Sequence, residues 1–177
     1  MGAFSTNLTA LWARAGAMFL ADPAPAPPDL ERLLLETARQ ASGNSRLFTM
    51  AASWLAKYGE KVCPLRLADL IWHELEAEYR PVMGLLLDTA QHLSGCYRFA
   101  AAVAACAPAP EPRPLFDIER RNQTLWRLSQ RRASSLSKAW NLWAPNFEPK
   151  YDAIRPESWV DAKNPMFASP VMSYQHT

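Results

Sequence analysis

The chain has 177 residues, of which 19 are lysine or arginine and 17 are aspartate or glutamate. A formal net charge of +2 excludes a protein that would bind nucleic acid or a membrane through its total charge alone. A hydrophobic content of 49% excludes a disordered chain, and the length fits one buried core with extensions. No run of about 18 apolar residues occurs, so we expect no membrane span.

The composition favours helices over strands. The sequence contains 29 alanines and only six glycines, while valine and isoleucine, which favour strands, are scarce. Eight of the 15 prolines lie in two clusters, at 22–28 and 107–117, where they separate helical blocks. We therefore predict an all-α protein, either a compact helical bundle or stacked helical hairpins of about five short helices.

The three cysteines, Cys63, Cys96 and Cys106, form no CxxC pair. An odd number without short spacing argues against a disulfide framework and favours a reducing compartment. We therefore expect a cytoplasmic protein whose free thiols are small buried side chains.

Apolar residues recur at helical spacing along most of the first 106 residues. Asp29 is placed to cap a helix, and Gly43 and Asn44 are placed to end it, since both tolerate positive φ. Pro64 suits a first helical turn, and Pro81 is expected to end that helix. The predicted helices span 4–21, 29–43, 45–58, 64–79, 82–94 and 96–106.

The proline clusters and the charge distribution divide the chain into blocks. The aromatic residues beside prolines near the C-terminus favour a strap across the domain surface, with a recognition segment as the alternative. The predicted blocks are an N-terminal helix and connector at 1–28, a helical core domain at 29–106, a proline-rich linker at 107–117, a basic tryptophan-rich helix at 118–143 and an irregular tail at 144–177.

One stretch of sequence is nearly repeated. Leu33–Gly43 and Leu85–Gly95 are identical at seven of eleven positions, with a period of 52 residues. A duplicated helix-turn unit is one explanation. Chance similarity between two helices of similar composition is the other.

The positive charge is local. Residues 118–150 contain seven basic and two acidic side chains, whereas residues 29–106 contain eight and nine. A continuous helix over 118–143 would place four of its basic residues within about 20° of one line and its apolar residues on a separate stripe. Those basic residues are Arg120, Arg127, Arg131 and Lys138.

Two interpretations of this helix remain open. It is either a solvated helix whose tryptophans enter the core, or a helix that docks on an anionic partner. In the second case the four basic residues are the contacts, and Trp126 and Trp140 are stacking or anchoring groups. Arg121 and Arg132 lie in the apolar sector and need partners if they are buried.

We expect a non-enzymatic binding or regulatory protein that contacts nucleic acid or an acidic protein partner. Small bacterial regulators and antitoxin-like proteins are compatible by analogy alone. The first alternative is a structural subunit of a larger assembly, or a homo-oligomer, that uses its tryptophan-rich surfaces for contacts.

The second alternative is a helical RNase. The spacing of Arg66 and His73 resembles that of HEPN-type RNases, in which such a pair polarises phosphate and shuttles a proton. The polar residue that usually follows the arginine is replaced by Leu67 here.

Other catalytic chemistry finds little support. No phosphate-binding glycine loop, nucleophile elbow or HExxH motif occurs. Asp69 and His73, and likewise Asp88, His92 and Cys96, share helix faces at i, i+4 spacing, but solvated polar faces are the better interpretation. We expect no catalytic residue, no metal and no cofactor.

Overall fold

The computed structural model of this protein describes residues 8–15, 29–117 and 122–143. They belong to two units of the chain, Met1–Pro28 with Arg155–Thr177, and Asp29–Ile154. The connector predicted at 22–28 and the tail predicted at 144–177 lie outside the described residues.

The described part of the first unit is helix α1, Leu8–Arg14. Leu8, Trp12 and Ala15 are buried and follow one another at intervals of four and three residues. This is the spacing of one helical face. Leu8 and Ala15 were predicted on it, whereas Leu11, which was also predicted there, is half-buried and Trp12 is buried instead. The remaining residues of the helix predicted over 4–21 lie outside the described part.

The second unit confirms the all-α prediction. Its described residues form seven α-helices that pack together, with two strands of two residues each. The helices are α2 (Leu30–Gln40), α3 (Ser45–Tyr58), α4 (Pro64–Glu74), α5 (Arg80–Ser94), α6 (Ala100–Ala104), α7 (Gln123–Arg132) and α8 (Ser135–Ala139), and the strands are β1 (Arg113–Pro114) and β2 (Leu142–Trp143).

The first helices of this unit begin at side-chain caps. The carboxylate of Asp29 accepts the N–H of Arg32 at 3.1 Å, and Asn44 Oδ1 accepts the N–H of Leu47 at 3.0 Å. Each cap satisfies a backbone donor that the first helical turn leaves without a partner. The Asp29 cap was predicted, and so were the bounds of α3.

Three predicted helix boundaries are wrong for local reasons. Pro81 does not end α4. It lies in the first turn of α5, where a proline needs no N–H donor, and α4 ends earlier at Glu74. Helix α6 begins only at Ala100 because Phe99 turns into the core, where Gln91 Oε1 accepts its N–H at 3.0 Å. Gly43 has no positive φ, because a 3-10 turn follows α2.

Helix α5 lies at the centre of the core. It contacts α2, α3 and α6, and it also contacts α8 and β2 from the C-terminal part of the unit. Helix α4 packs chiefly on α6, and α2 on α4. The fully buried large side chains of this unit include Leu34, Leu35, Phe48, Leu67, Ile71, Met83, Leu85, Leu86, Leu87 and Phe99.

The two similar stretches, Leu33–Gly43 and Leu85–Gly95, have matching burial. In both, the three consecutive leucines and the threonine and alanine that follow are buried. Their ends differ, because Gly95 adopts a left-handed conformation with φ of 67° and Gly43 does not. Shared burial explains the similar apolar residues, and duplication stays a hypothesis.

The single helix predicted over 118–143 is not continuous. Helix α7 ends at Arg132, and the next residue, Ala133, has the extended angles φ −61° and ψ 130°. Ser134 then starts a new helix, because its Oγ accepts the N–H of Ser137 at 3.1 Å. A serine that can cap a helix competes with continuation of the preceding one. The break changes the direction of the chain and places Trp140 against α5.

The proline-rich linker at 107–117 is tied to the C-terminal residues. Strand β1 pairs in parallel with β2, and Arg113 lies opposite Leu142. The N–H of Ala109 donates to the carbonyl of Trp140 at 3.1 Å, and Asn141 Nδ2 donates to the carbonyl of Ala109 at 2.7 Å. The linker therefore holds β2 in place. None of the described helices combines the length and apolar character needed to cross a bilayer.

Candidate functional site

The predicted contact residues differ in their exposure. Arg127 and Arg131 on α7 and Lys138 on α8 are exposed, whereas Trp126 is half-buried and Trp140 is buried. Arg120, which was also a predicted contact, and Arg121 lie outside the described residues, as does the side chain of Arg132. We call residues 122–143 the cationic segment, because they contain four basic side chains and no acidic one.

Arg127 and Arg131 share one face of α7. They are four residues apart, which is about 6 Å along the helix axis. Asn122 caps this helix, and its Oδ1 accepts the N–H groups of Thr124 at 3.0 Å and Leu125 at 3.2 Å. The half-buried side of the helix includes Leu125, Trp126 and Leu128, so the amphipathic pattern orients both arginines outward.

The exposed cations of this segment differ from the arginines of the helical core. Within the described residues, Arg127, Arg131 and Lys138 take part in none of the ion pairs. In the core, by contrast, Arg32 Nη2 lies 2.7 Å from Glu74 Oε1. Arg39 Nε lies 2.9 Å from Oε2 of Glu76, which follows α4. Among the described residues, therefore, no carboxylate pairs with these three cations.

Trp140 has a packing role in this structure. Its side chain is only 6% exposed, and its ring covers Gly84 of α5. A Cβ at Gly84 would lie 2.2 Å from ring carbons of Trp140, so only glycine permits this approach. The indole Nε1 donates to Asp88 Oδ2 at 2.7 Å. Trp140 thus fastens the cationic segment to the core and presents no ring face to a partner.

Trp126 makes a contact that the sequence did not indicate. Its ring stacks on that of Trp143, with centroids 5.6 Å apart and an interplanar angle of 27°. Both side chains are half-buried. The stack joins α7 to β2, and Arg127 follows Trp126 directly in the chain.

The Arg66 and His73 pair lies on α4, and the arginine is already engaged. Its guanidinium donates to Glu31 Oε2 at 2.8 Å and also to Asp29. The hydrogen bond to Asp29 is the largest cause that raises the pKa of Arg66. His73 is exposed, with Nδ1 3.1 Å from Asp69 Oδ1. A guanidinium held by two carboxylates is poorly placed to polarise a phosphate, so the RNase hypothesis gains no support here.

Asp88 and His92 do not form part of a metal cluster. The carboxylate of Asp88 accepts hydrogen bonds from Trp140 Nε1 and, at 3.2 Å, from Gln91 Nε2. Across the described residues, no group of three or more histidine, cysteine or acidic side chains is placed to hold a metal ion.

A polar cleft of about 210 Å³ lies between the end of α2, the start of α5 and β1. Its arginines already have partners. Arg39 donates to Glu36, to Glu76 and to the carbonyl of Glu74, and Arg113 Nη2 donates to the carbonyl of Glu78 at 2.6 Å. These contacts give the cleft a structural role between helices.

Helix α4 carries an exposed apolar surface that the sequence analysis missed. Leu65 is 73% exposed and Trp72 is 63% exposed, and the two residues are seven positions apart, on the same helix face. Leu67, Leu70 and Ile71 are buried on the opposite face of this helix. Apolar residues occur on both sides of this short helix, and that sequence pattern could have indicated the exposed apolar face.

The cysteine prediction is wrong for two of the three residues. Cys63 and Cys96 are exposed, and only Cys106 is largely removed from solvent. Burial raises the pKa of the Cys106 thiol to about 12. Its Sγ donates to the carbonyl of Ala102 at 3.4 Å.

Comparison of the chain with protein-family models, curated proteins and solved structures finds no match. Function is therefore inferred from the side chains themselves.

Proposed function

We propose that this is a non-enzymatic nucleic-acid-binding protein and that the cationic segment is its contact region. The observation that carries the proposal is the exposure of Arg127, Arg131 and Lys138 in a segment without a single acidic residue. Phosphate groups are the anions that such a segment suits, because an arginine fork can bond two phosphate oxygens at once.

Local charge supports this proposal better than total charge does. The net charge of the whole chain is only +2, so a polyanion would not be attracted to its entire surface. The core cations Arg32, Arg39 and Arg66 are balanced by carboxylates. A polyanion would therefore be attracted more strongly to the cationic segment than to these three core arginines.

The contact set is smaller than the sequence predicted. Trp140 is left out because its ring and its N–H are both used inside the protein. Arg127 and Arg131 are the principal contacts, and Lys138 adds a third positive charge from α8. Arg120 stays a predicted contact outside the described residues.

Charge reversal tests the proposal. The Arg127→Glu/Arg131→Glu variant of the full chain should lose at least about tenfold in affinity for a fluorescein-labelled oligonucleotide, because two attractive charges become repulsive. The measurement is fluorescence anisotropy at low salt, and thermal unfolding followed by circular dichroism checks that the variant still folds.

A matched control separates local from total charge. The variant Arg46→Glu/Arg98→Glu changes the net charge by the same amount at two other exposed arginines. It should keep its affinity within roughly threefold, since neither arginine belongs to the cationic segment and exposed charges more than a Debye length from a contact are largely screened. Equal losses in both double variants would overturn the proposed contact region. Absence of any nucleic-acid binding by the natural chain would overturn the function and favour an acidic protein partner.

The exposed face of α4 favours one second candidate, a subunit that assembles with a second copy of itself. Leu65 and Trp72 lie symmetrically about the half-buried Ala68 and the exposed Asp69. In an antiparallel pair of α4 helices, Leu65 of one copy would face Trp72 of the other, and the small Ala68 would permit close approach.

Light scattering tests this candidate. Self-association predicts a mass above 19.9 kDa that rises with protein concentration, and Leu65→Asp should restore the monomer mass. A monomer at every concentration would exclude assembly through α4.

A further inference from the structure

The stacked pair of Trp126 and Trp143 indicates which class of nucleic acid the cationic segment would bind. Both residues are half-buried, whereas Trp140 is buried, although the indole Nε1 of Trp143 lies inside the protein. Their centroids are 5.6 Å apart and their planes differ by 27°. A pair of nearly parallel aromatic rings that reaches solvent can be extended by one more flat ring on its outer side.

The pair is held in place before any ligand binds. Trp143 belongs to β2, and its carbonyl accepts the N–H of Leu115 at 2.9 Å, while Leu115 itself is buried. Trp126 is fixed by α7, whose first turn is capped by Asn122. An aromatic surface positioned in this way loses little conformational entropy on binding.

The charges beside the pair have one sign. Arg127 follows Trp126 directly, and Arg131 lies one turn further along α7. Trp72, which is the exposed tryptophan among the described residues, has different surroundings. It lies on a helix with Asp69 and Glu74, and the guanidinium of Arg80 lies 5.4 Å from its ring centroid. The stacked tryptophans and two exposed arginines, which form no ion pair with the other described residues, therefore occur together at α7.

This combination matches the chemistry of an unpaired nucleotide strand. Phosphates need cations, and an exposed base gains stacking energy from an aromatic ring whatever its identity. In a duplex the bases are stacked on each other and paired, so they offer their edges in a groove and not their faces. A helix that recognises a duplex contacts the base edges with its side chains. Such contacts do not require stacked tryptophans.

We propose that the ligand of the cationic segment is single-stranded nucleic acid, with one base stacked on the Trp126–Trp143 pair and the flanking phosphates bound by Arg127 and Arg131. This inference rests on the proposed nucleic-acid-binding function and adds the class of nucleic acid to it. Recognition of this kind is tolerant of sequence, because the stacking does not read base edges.

The test compares a labelled oligothymidylate with a labelled duplex of the same length, using the full chain and anisotropy. The natural protein should bind the single strand at least about tenfold more tightly than the duplex. Trp126→Leu should lower single-strand affinity by about tenfold and change duplex affinity by less than roughly twofold, because leucine fills the same apolar contact without a stacking face. Trp126→Phe should restore most of the lost affinity.

Each outcome separates this inference from the function on which it rests. Equal affinity for the two ligands, with no effect of Trp126→Leu but a strong effect of Arg127→Glu/Arg131→Glu, would overturn the single-strand inference and keep the nucleic-acid function. No binding to either ligand would overturn both. If Trp126→Leu unfolds the chain, the single-strand and duplex affinities of Trp126→Phe and Trp126→Tyr are compared instead. A single-strand affinity below the duplex affinity in these folded variants would overturn the inference.

Discussion

Trp140 and Asp88, 52 residues apart in the chain, are joined by a hydrogen bond of 2.7 Å from the indole Nε1 to the carboxylate Oδ2. The tryptophan ring also covers Gly84, one helical turn before Asp88. Together these contacts fasten the C-terminal part of the described chain to α5, the central helix of the core. The cationic segment is therefore part of the folded unit, which gives its exposed arginines a fixed support.

Replacement of Gly84 by alanine tests this attachment. Helix propensity alone would stabilise α5 by up to about 1 kcal/mol. The new Cβ would lie 2.2 Å from the ring of Trp140, however, and the overpacking should cost about 1–3 kcal/mol, so the net effect is destabilising. Urea unfolding measures the free energy of unfolding of the variant.

Gly43→Ala is the matched control, since a Cβ there meets nothing within 4 Å and its φ is not positive. It should be neutral or slightly stabilising. Equal stability of Gly84→Ala and the natural chain would contradict the close packing of Trp140 on α5.

The hydrogen bond itself can be isolated by a double-mutant cycle. Trp140→Phe keeps an aromatic ring but removes the N–H donor, and Asp88→Ala removes the acceptor. Because the acceptor is charged, we expect a coupling free energy of about 1.5 kcal/mol between the two positions. Additive effects within about 0.5 kcal/mol, measured by urea unfolding, would show that the contact contributes nothing on its own.

The three thiols should separate into two reactivity classes. Cys63 and Cys96 are exposed, whereas burial raises the pKa of Cys106 to about 12. At pH 8 only roughly one part in ten thousand of the Cys106 thiol would be ionised, and the thiolate is the reactive form. A disulfide reagent should therefore modify two thiols quickly and the third slowly in the folded protein.

Cys106→Ser provides the control for the thiol assay. It should leave the fast phase unchanged and remove the slow one. Three thiols reacting at one rate in the folded natural chain would contradict the burial of Cys106.

The ion pairs between α2 and α4 predict a loss of stability in acid. Burial raises the pKa of Asp29, but the N–H of Arg32 and the guanidinium of Arg66 outweigh it and leave that pKa below its ordinary value. The hydrogen bond from Arg39 lowers the pKa of Glu76. A depressed carboxyl pKa stabilises the fold above the unfolded-state pKa, and the stabilisation is lost as the pH falls through the folded-state pKa.

The free energy of unfolding should therefore decrease from about pH 5 downwards. In Glu76→Gln this decrease should be shallower, because the variant has one carboxylate fewer to protonate. Both carboxylates are partly solvated, so the difference between the two curves should be small. If the free energy of unfolding of the variant falls as steeply with pH as that of the natural chain, protonation of Glu76 does not contribute to the loss of stability in acid.

Short-range patterns explain which parts of the fold could be predicted. The bounds of α3 follow from Asn44 and from the apolar spacing within that helix, and both act over a few residues. The outward direction of Arg127 and Arg131 follows from their spacing on α7 in the same way. The expectation that Trp140 would contact a partner used the same logic, but it assumed one helix over 118–143.

The break at Ala133 depends on contacts that sequence periodicity does not contain. Trp140 reaches α5 only after the chain turns, and its partners Gly84 and Asp88 are more than 50 residues away. The pairing of β1 with β2 and the Trp126–Trp143 stack have the same origin, because both follow from how the turned chain lies on the core. Tertiary contacts of this range override local propensity.

The salt dependence of single-strand binding measures how many phosphates the cationic segment neutralises. If Arg127, Arg131 and Lys138 each neutralise one phosphate, three counterions are displaced, and the logarithm of affinity should fall with the logarithm of salt concentration with a slope of about −2. The measurement is the anisotropy titration of the labelled oligothymidylate with the full natural chain between about 50 and 200 mM salt. A slope near zero, or no binding at the lowest salt concentration, would contradict a cationic segment that binds nucleic acid.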